Sequence, residues 1–239
     1  MTTDRLYFRQ LLSGRDFARS DGLARQMVNF VYLVGDRETG EAVVIDPAYG
    51  VGELVELVAE DGLRLTGALV THYHADHCGG DIMGYSIEGL RELLALEGGA
   101  VPVHVQRAEA EWVKRSTGLS DSELALHDSG DVVHVGGIPI ALMHTPGHTP
   151  GSQCFVVDGR LVAGDTLFLE GCGRTDLPGS DPDAMYESLT QRLATLPDTT
   201  VLYPGHRYSA ESSATLGDTR AHNYVFRIPT IEQWRSFMG

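Results

Sequence analysis

Thr71-His72-Tyr73-His74-Ala75-Asp76-His77-Cys78-Gly79-Gly80 constrains this chain more than any other stretch. Three histidines and one aspartate fall within six residues, directly after the apolar run Ala68-Leu69-Val70. Imidazole nitrogens and carboxylate oxygens are the ligands that zinc and non-haem iron prefer. In an extended chain His72 and His74 point to the same side. Asp76 and His77 come a turn later and aim at a second point. Gly79 and Gly80 let the backbone turn sharply behind them. The alternative, a polar surface loop rich in histidine, has no need of partners elsewhere, and partners occur downstream.

Those partners sit where strands end. Val28–Val34 and Ala42–Ile45 read as two strands of a hairpin across the Gly35–Gly40 turn cluster. Asp46 follows the second strand, either supporting the metal site from behind or forming a turn before Pro47. Gly50–Glu60 carries a helical stripe (Val51, Leu54, Val55, Leu57, Val58), and Leu65–Val70 is the strand that delivers the histidine motif. A helix is expected from about Ser86 to Glu97, a strand over Val101–Val105 and a helix over Ala108–Arg115. His104, His127 and His134 lie outside any ligand spacing, and His144 ends a strand; none is expected to be a ligand.

The hairpin Val132–Val135 and Ile138–Met143 leads into Pro146-Gly147-His148-Thr149-Pro150-Gly151, a stiff loop suited to fixing His148. Strands Gln153–Val157 and Leu161–Ala163 flank Asp158-Gly159 and place Asp165 at a strand end. A helix starts at Pro182. The strand Thr200–Tyr203 then presents His206 through Pro204-Gly205. Glu211–Asn223 is expected to be helical, and the tail Val225–Gly239 to cover a sheet edge. One domain over residues 1–239 accounts for the whole.

The formal charge of −15, from 33 acids and 18 bases, argues against a nucleic-acid surface, which needs a basic face. Cys78, Cys154 and Cys172 are odd in number and lack C-x-x-C spacing, which fits a reducing cytoplasm rather than a disulfide framework. No apolar run reaches the length of a membrane span. The N-terminal stretch lacks the apolar core of a secretory signal.

The constellation sorts into two sets. His72, His74 and His148 would hold one metal, and Asp76, His77 and His206 a second, with Asp165 between them. Two metals about 3.5–4 Å apart activate a shared water for hydrolysis, and Asp76 and Asp165 would then position it. His72, His148 and Asp165 alone form a two-His-one-carboxylate face around a single iron, with positions left open for oxygen and substrate sulfur. Spacing does not choose between these chemistries. A third class, a metal-stabilised binding module, would use a closed Cys/His site, and no cysteine here has ligand spacing. Arg174, in the Gly-rich loop Gly171–Asp176, is expected to anchor a substrate carboxylate, to order the loop, or to pair with Asp176.

Taken together, Thr71–His77, Pro146–Gly151, Gly164-Asp165 and Pro204-Gly205-His206 resemble the metallo-β-lactamase superfamily. The resemblance implies an α/β fold: an αββα four-layer sandwich of two mixed sheets with helices outside. Within it, the chain is most similar to the persulfide dioxygenases. That likeness rests on further stretches: Tyr7–Leu11, Tyr32–Glu38, Ile45-Asp46-Pro47, Gly171–Asp176 and Phe237-Met238-Gly239. It implies one Fe(II) on His72, His148 and Asp165, and oxidation of a glutathione persulfide to sulfite and free thiol. The second expectation is a thioester hydrolase similar to glyoxalase II, with one or two Zn(II) per chain. Those enzymes carry a longer C-terminal helical extension, whereas 33 residues follow His206 here. The stretch Asp81–Leu126 is longer than its counterpart in the dioxygenases and lies beside the expected pocket. The partner implied is a small-molecule thiol, with neither nucleic acid nor membrane; a homodimer is the assembly left open.

Overall fold

In the computed structural model, which describes residues 5–99 and 101–238, every strand that carries a candidate ligand ends on the same side of the molecule. The first sheet has the order β1-β2-β3-β4-β7-β8, formed by β1 Leu6–Leu12, β2 Phe30–Asp36, β3 Glu41–Ile45, β4 Arg64–Leu69, β7 Val103–Gln106 and β8 Leu124–His127. The second has the order β14-β13-β12-β11-β10-β9. Its strands are β9 Val132–Val135, β10 Ile138–His144, β11 Gln153–Val157, β12 Arg160–Gly164, β13 Val201–Pro204 and β14 Ala214–Thr215. Between β4 and β7 a small hairpin, β5 Gly80–Ile82 and β6 Tyr85–Ile87, stands apart from both sheets.

Alternation along the strands assigns the layers. Phe30, Tyr32 and Val34 of β2, Val43 and Ile45 of β3, and Leu69 of β4 face Ile140, Leu142, Phe155, Val157 and Val162 of the second sheet. The intervening residues Val31, Leu33, Ala42, Val44 and Ala68 point the other way, into a second core. That core is closed by α1 Gly22–Met27, α2 Val51–Glu60, α4 Leu90–Leu96 and α5 Ala110–Thr117. On the far side, Cys154, Leu161 and Ala163 face a third core roofed by α6 Pro182–Glu187, α7 Leu216–His222 and α8 Ile231–Met238. Helix, sheet, sheet, helix is the order of layers. It explains why β2 is buried at every position and reads as an apolar run from Phe30 to Val34. The short α3, Ala75–Cys78, belongs to the metal motif itself.

Several expectations need correction. The region Ser86–Glu97 is not one helix: Met83 (φ 50°) and Gly84 (φ 82°) turn the chain back, and Tyr85–Ile87 pairs with Gly80–Ile82 before α4 begins. The helix α1 and strand β8 are additional elements. α1 starts where Asp21 accepts the N–H groups of Leu23 and Ala24. Glu211–Asn223 begins with strand β14, and its helix starts only at Leu216. The tail does not cover a sheet edge. Helix α8 lies on α6, with Trp234 buried and its Nε1 donating to the Pro182 carbonyl at 2.6 Å; Gly239 lies outside the described residues.

The Trp234 seat carries much of the third core. Trp234→Ala should cost about 3–5 kcal/mol of folding free energy through the cavity left behind, read as a fall in the denaturation midpoint at constant slope.

Candidate metal centre

Each candidate ligand follows a strand. β4 leads to His72 and His74, and α3 then presents Asp76 and His77. β10 leads to the loop bearing His148, β12 to Asp165 and β13 to His206. Because β3, β4 and β7 run parallel, as do β12 and β13, their C-terminal ends open at one place. Loops fixed to a rigid sheet are the usual carriers of such sites.

The structure brings all seven residues together. Ligand atoms of His72, His74 and His148 lie within 4.8 Å of one another, as do those of Asp76, His77 and His206. Asp165 stands between the sets. Its Oδ1 is 3.4 Å from His77 Nε2, and its Oδ2 is 3.3 Å from His206 Nε2 and 3.7 Å from His148 Nε2. His148 Nε2 faces His74 Nδ1 at 3.0 Å, and His77 Nε2 faces His206 Nε2 at 3.1 Å.

The outward ring nitrogens fix which nitrogen is free. His148 Nδ1 donates to the Arg174 carbonyl and His206 Nδ1 to the Met27 carbonyl, both at 2.8 Å. Asp46 Oδ2 accepts from His77 Nδ1 at 3.0 Å and from Thr71 Oγ1 at 2.6 Å. With its proton given to Asp46, Thr71 Oγ1 accepts from His72 Nδ1 at 3.0 Å. Each of these rings therefore turns Nε2 inward. The support of a ligating imidazole through its second nitrogen is how proteins orient metal sites. Asp46, at φ 56°, both turns the chain and backs the site.

Two buried atoms have no hydrogen-bond partner among the described residues: His72 Nε2 and Asp165 Oδ1. Leaving such groups unpaired costs about 1–3 kcal/mol each. Convergent lone pairs and orphaned donor atoms of nitrogen and oxygen type fit a divalent zinc or iron ion. Burial, with the neighbouring imidazoles, holds His72 well below the ordinary histidine range and His74 down to about 4. Burial also opposes ionisation of Asp165, but His206 and His77 overcome it and keep the carboxyl well below the usual range. Neutral imidazoles at His72 and His74 and an ionised Asp165 are forms that bind metal. At the second set, against burial, Asp76 and Asp165 raise His77 to about 10 and Asp165 raises His206, so a cation there would displace a proton.

Four residues that are not ligands support the centre. Asn29 Nδ2 donates to Asp76 Oδ2 at 3.1 Å and is itself held by the Tyr49 hydroxyl at 3.1 Å. Gly205 sits where a Cβ would collide with Asp165 Oδ1, and Gly173 where one would collide with the Asp165 carbonyl and the His148 ring. Glu109 is 1% exposed, and burial pushes its carboxyl up to about 7. Its Oε1 accepts the Tyr73 N–H at 2.8 Å and its Oε2 the Gly151 N–H at 2.6 Å. One carboxylate thus ties the loop of His72 and His74 to the loop of His148. The only sequence signal was a glutamate at the start of an apolar-faced helix.

Arg174 forms a two-bond pair with Asp176, both bonds at 2.8 Å, and its side chain is 68% exposed. His144 Nε2 lies 2.9 Å from the Pro150 carbonyl, and His104 pairs with His127, away from the centre. Cys172 lines the cavity, and burial pushes its thiol up to about 12. The cavity over the centre measures about 940 Å³ and is walled by Tyr73, Ile82, Met83, Phe168, Tyr208 and Tyr224. That is the size of a small-molecule site.

Glu109→Gln places an amide N–H against one of the two backbone N–H groups. It should weaken metal binding at His72, His74 and His148 by about 10-fold, measured by chelator competition, and leave the Asp76, His77 and His206 set unchanged. Equal loss at both sets would reduce Glu109 to a general packing role.

Comparison with known proteins fits this geometry. The metallo-beta-lactamase superfamily profile matches residues 24–206. The chain is 32% identical over 241 residues to the mitochondrial persulfide dioxygenase ETHE1 of Homo sapiens, covering 97% of this chain and 86% of that one. It is 38% identical over 187 residues to a hydroxyacylglutathione hydrolase of Rhodopseudomonas palustris, covering 77% and 64% respectively. The crystal structure of ETHE1 from Myxococcus xanthus superposes with a TM-score of 0.76 at 30% identity, covering 97% of this chain and 89% of that one. With its fold, its histidine–aspartate cluster and these relatives in agreement, the chain belongs to the metallo-beta-lactamase superfamily of metal-dependent enzymes.

Proposed function

We propose that the protein oxidises the persulfide of a low-molecular-weight thiol with dioxygen, using one Fe(II) held by His72, His148 and Asp165. The observation that carries this reading is coverage together with identity. The likeness to persulfide dioxygenases runs along 97% of this chain and 86% of the human relative at 32% identity. The hydroxyacylglutathione hydrolase match spans 64% of that enzyme, and the match to a probable zinc-dependent hydrolase of Bacillus velezensis, covered to 86%, is 28% identical. The two orphaned atoms, His72 Nε2 and Asp165 Oδ1, both belong to this three-residue set.

The reaction balances as one persulfide, one dioxygen and one water giving one thiol, one sulfite and two protons. Sulfur loses four electrons and dioxygen gains them. Fe(II) bound here supplies the meeting point of oxygen and sulfur and the route for those electrons. The chain's own residues do the rest. Asp165 and the inward Nε2 atoms of His72 and His148 fix the face on which the reactants meet, so that positioning replaces a bimolecular encounter. Phe168 and Tyr208, packed edge to face at 5.0 Å, both lie against His206, with Tyr208 stacked on its ring at 4.7 Å, and so hold that ring in place beside the face. His74, Asp76, His77 and His206 hold water and protons around it. Three free thiols accord with a reducing compartment, and we assign the cytoplasm.

A dinuclear thioester hydrolase is the second reading. It is favoured by one observation: the Asp76, His77 and His206 set is fully assembled.

Anaerobic loading with Fe(II) followed by a persulfide should give oxygen uptake and sulfite in equal amounts, abolished by chelation. Asp165→Ala should lose most of the metal and at least 100-fold in rate (on the order of the loss for a key charged group). Thiol release from a hydroxyacyl thioester, without oxygen uptake, would overturn the proposal in favour of the hydrolase.

A further inference from the structure

The cavity wall is unusual in its charge. Apart from the metal cluster, the charged side chains that line it among the described residues are Asp81, Glu170 and Arg174. Arg174 is already committed to Asp176 through two hydrogen bonds. Asp81 and Glu170 are exposed and line the cavity, and outside the metal cluster Arg174 is the one cation that lines it with them among the described residues. The chain as a whole adds a charge of −15. A carboxylate on the substrate would therefore meet net negative charge at the rim, since the Arg174 guanidinium is balanced by Asp176.

The rest of the wall favours a neutral ligand body. Met83 is 93% exposed, Tyr208 55% and Tyr224 44%, and all three line the cavity. Large apolar side chains left in water around one opening mark a surface that a ligand covers. Their ring faces and phenol hydroxyls suit amides, alcohols and hydrocarbon, which present dipoles and apolar area rather than formal charge.

We propose that the thiol carrier accepted here bears no carboxylate: an uncharged small thiol with amide or hydroxyl groups, rather than an acidic peptide thiol. This rests on the persulfide reading above and names its substrate class. Asp81 and Glu170 are specificity-determining residues by repulsion, and the apolar rim by contact.

N-acetylcysteine and N-acetylcysteine amide differ in one group, a carboxylate against a carboxamide, and test the proposal directly. With the iron-loaded protein, the persulfide of the amide should show kcat/KM about 5-fold above that of the acid at low salt, since a rim charge acts through partly screened Coulomb repulsion. The ratio should shrink as salt is added, and fall towards one in the Asp81→Asn, Glu170→Gln double variant. The S-methyl thioethers of the same two compounds, which cannot react, should show the same order of Kd by calorimetry on the zinc-loaded protein. If neither persulfide consumes oxygen while the thioether of the amide still binds more tightly, the oxidation reading fails and the carrier class stands. Equal binding, no binding, or preference for the acid overturns the carrier class whatever the oxidation assay gives.

Discussion

His77 Nε2 and His206 Nε2 stand 3.1 Å apart, and His74 Nδ1 and His148 Nε2 3.0 Å apart, in a space nearly closed to water. Such pairs are tolerable only when a shared proton or a cation lies between the lone pairs. Left to themselves, flexible loops would swing these rings apart. The surrounding fold therefore has to hold them, and it does so from behind. Backbone carbonyls of Met27 and Arg174, the Asp46 carboxylate and the Thr71 hydroxyl each grip an outward nitrogen. Those groups come from segments that flank both sheets, and the inter-sheet core of Phe30, Tyr32, Ile45, Leu69 and Phe155 keeps the two halves of the centre in register.

The sequence was most legible where chemistry is local. His72, His74, Asp76 and His77 declare themselves by type and spacing, and the Pro-Gly turns before His148 and His206 explain why single histidines far apart belong with them. The four-layer arrangement was legible only through the family resemblance, and β2, β3, β11 and β12 bear it out because each strand meets a core on both faces. What was hidden depends on distant contacts. The β5–β6 hairpin turns at Met83, a non-glycine residue at φ 50°, which no composition rule anticipates. Asn29 and Glu109 look like any polar residue beside an apolar run until Asp76, Tyr73 and Gly151 are set next to them. Trp234 signals burial, but its seat on α6 is set by the Pro182 carbonyl 52 residues away. Arg174 was readable only as a choice among three roles; the structure adds a fourth, because its carbonyl orients His148 while its guanidinium turns to Asp176.

Two kinds of residue meet at this site under opposite constraints. The centre is crowded to the point where a single methyl group would intrude: Gly205 and Gly173 abut Asp165 and His148 so closely that only glycine fits. The rim is open, and Met83, Tyr208 and Tyr224 expose much of their surface. Substitution at the centre alters the ligands themselves, whereas substitution at the rim alters only what is admitted. A superfamily that includes dioxygenases and hydrolases can therefore keep one ligand geometry and vary its substrates from the segments around it.

In this chain those segments are the β5–β6 hairpin and the loop from Phe168 to Pro178. Both are anchored at their bases. Gly80, at the foot of the hairpin, packs so tightly on Ser116 of α5 that a side chain would clash with the Ser116 carbonyl. The Phe168 loop is pinned where Asn223 accepts from the Gly171 N–H and donates to the Phe168 and Gly171 carbonyls. A rim held at its base but free at its tip can change side chains without disturbing the metal ligands beneath. Electrostatics then becomes the economical way to discriminate, because a charge beside the mouth acts across it without having to touch the ligand. Asp81 and Glu170 lie next to the anchored Gly80 and Gly171, one on each segment, so their charges are held beside the mouth while the tips vary.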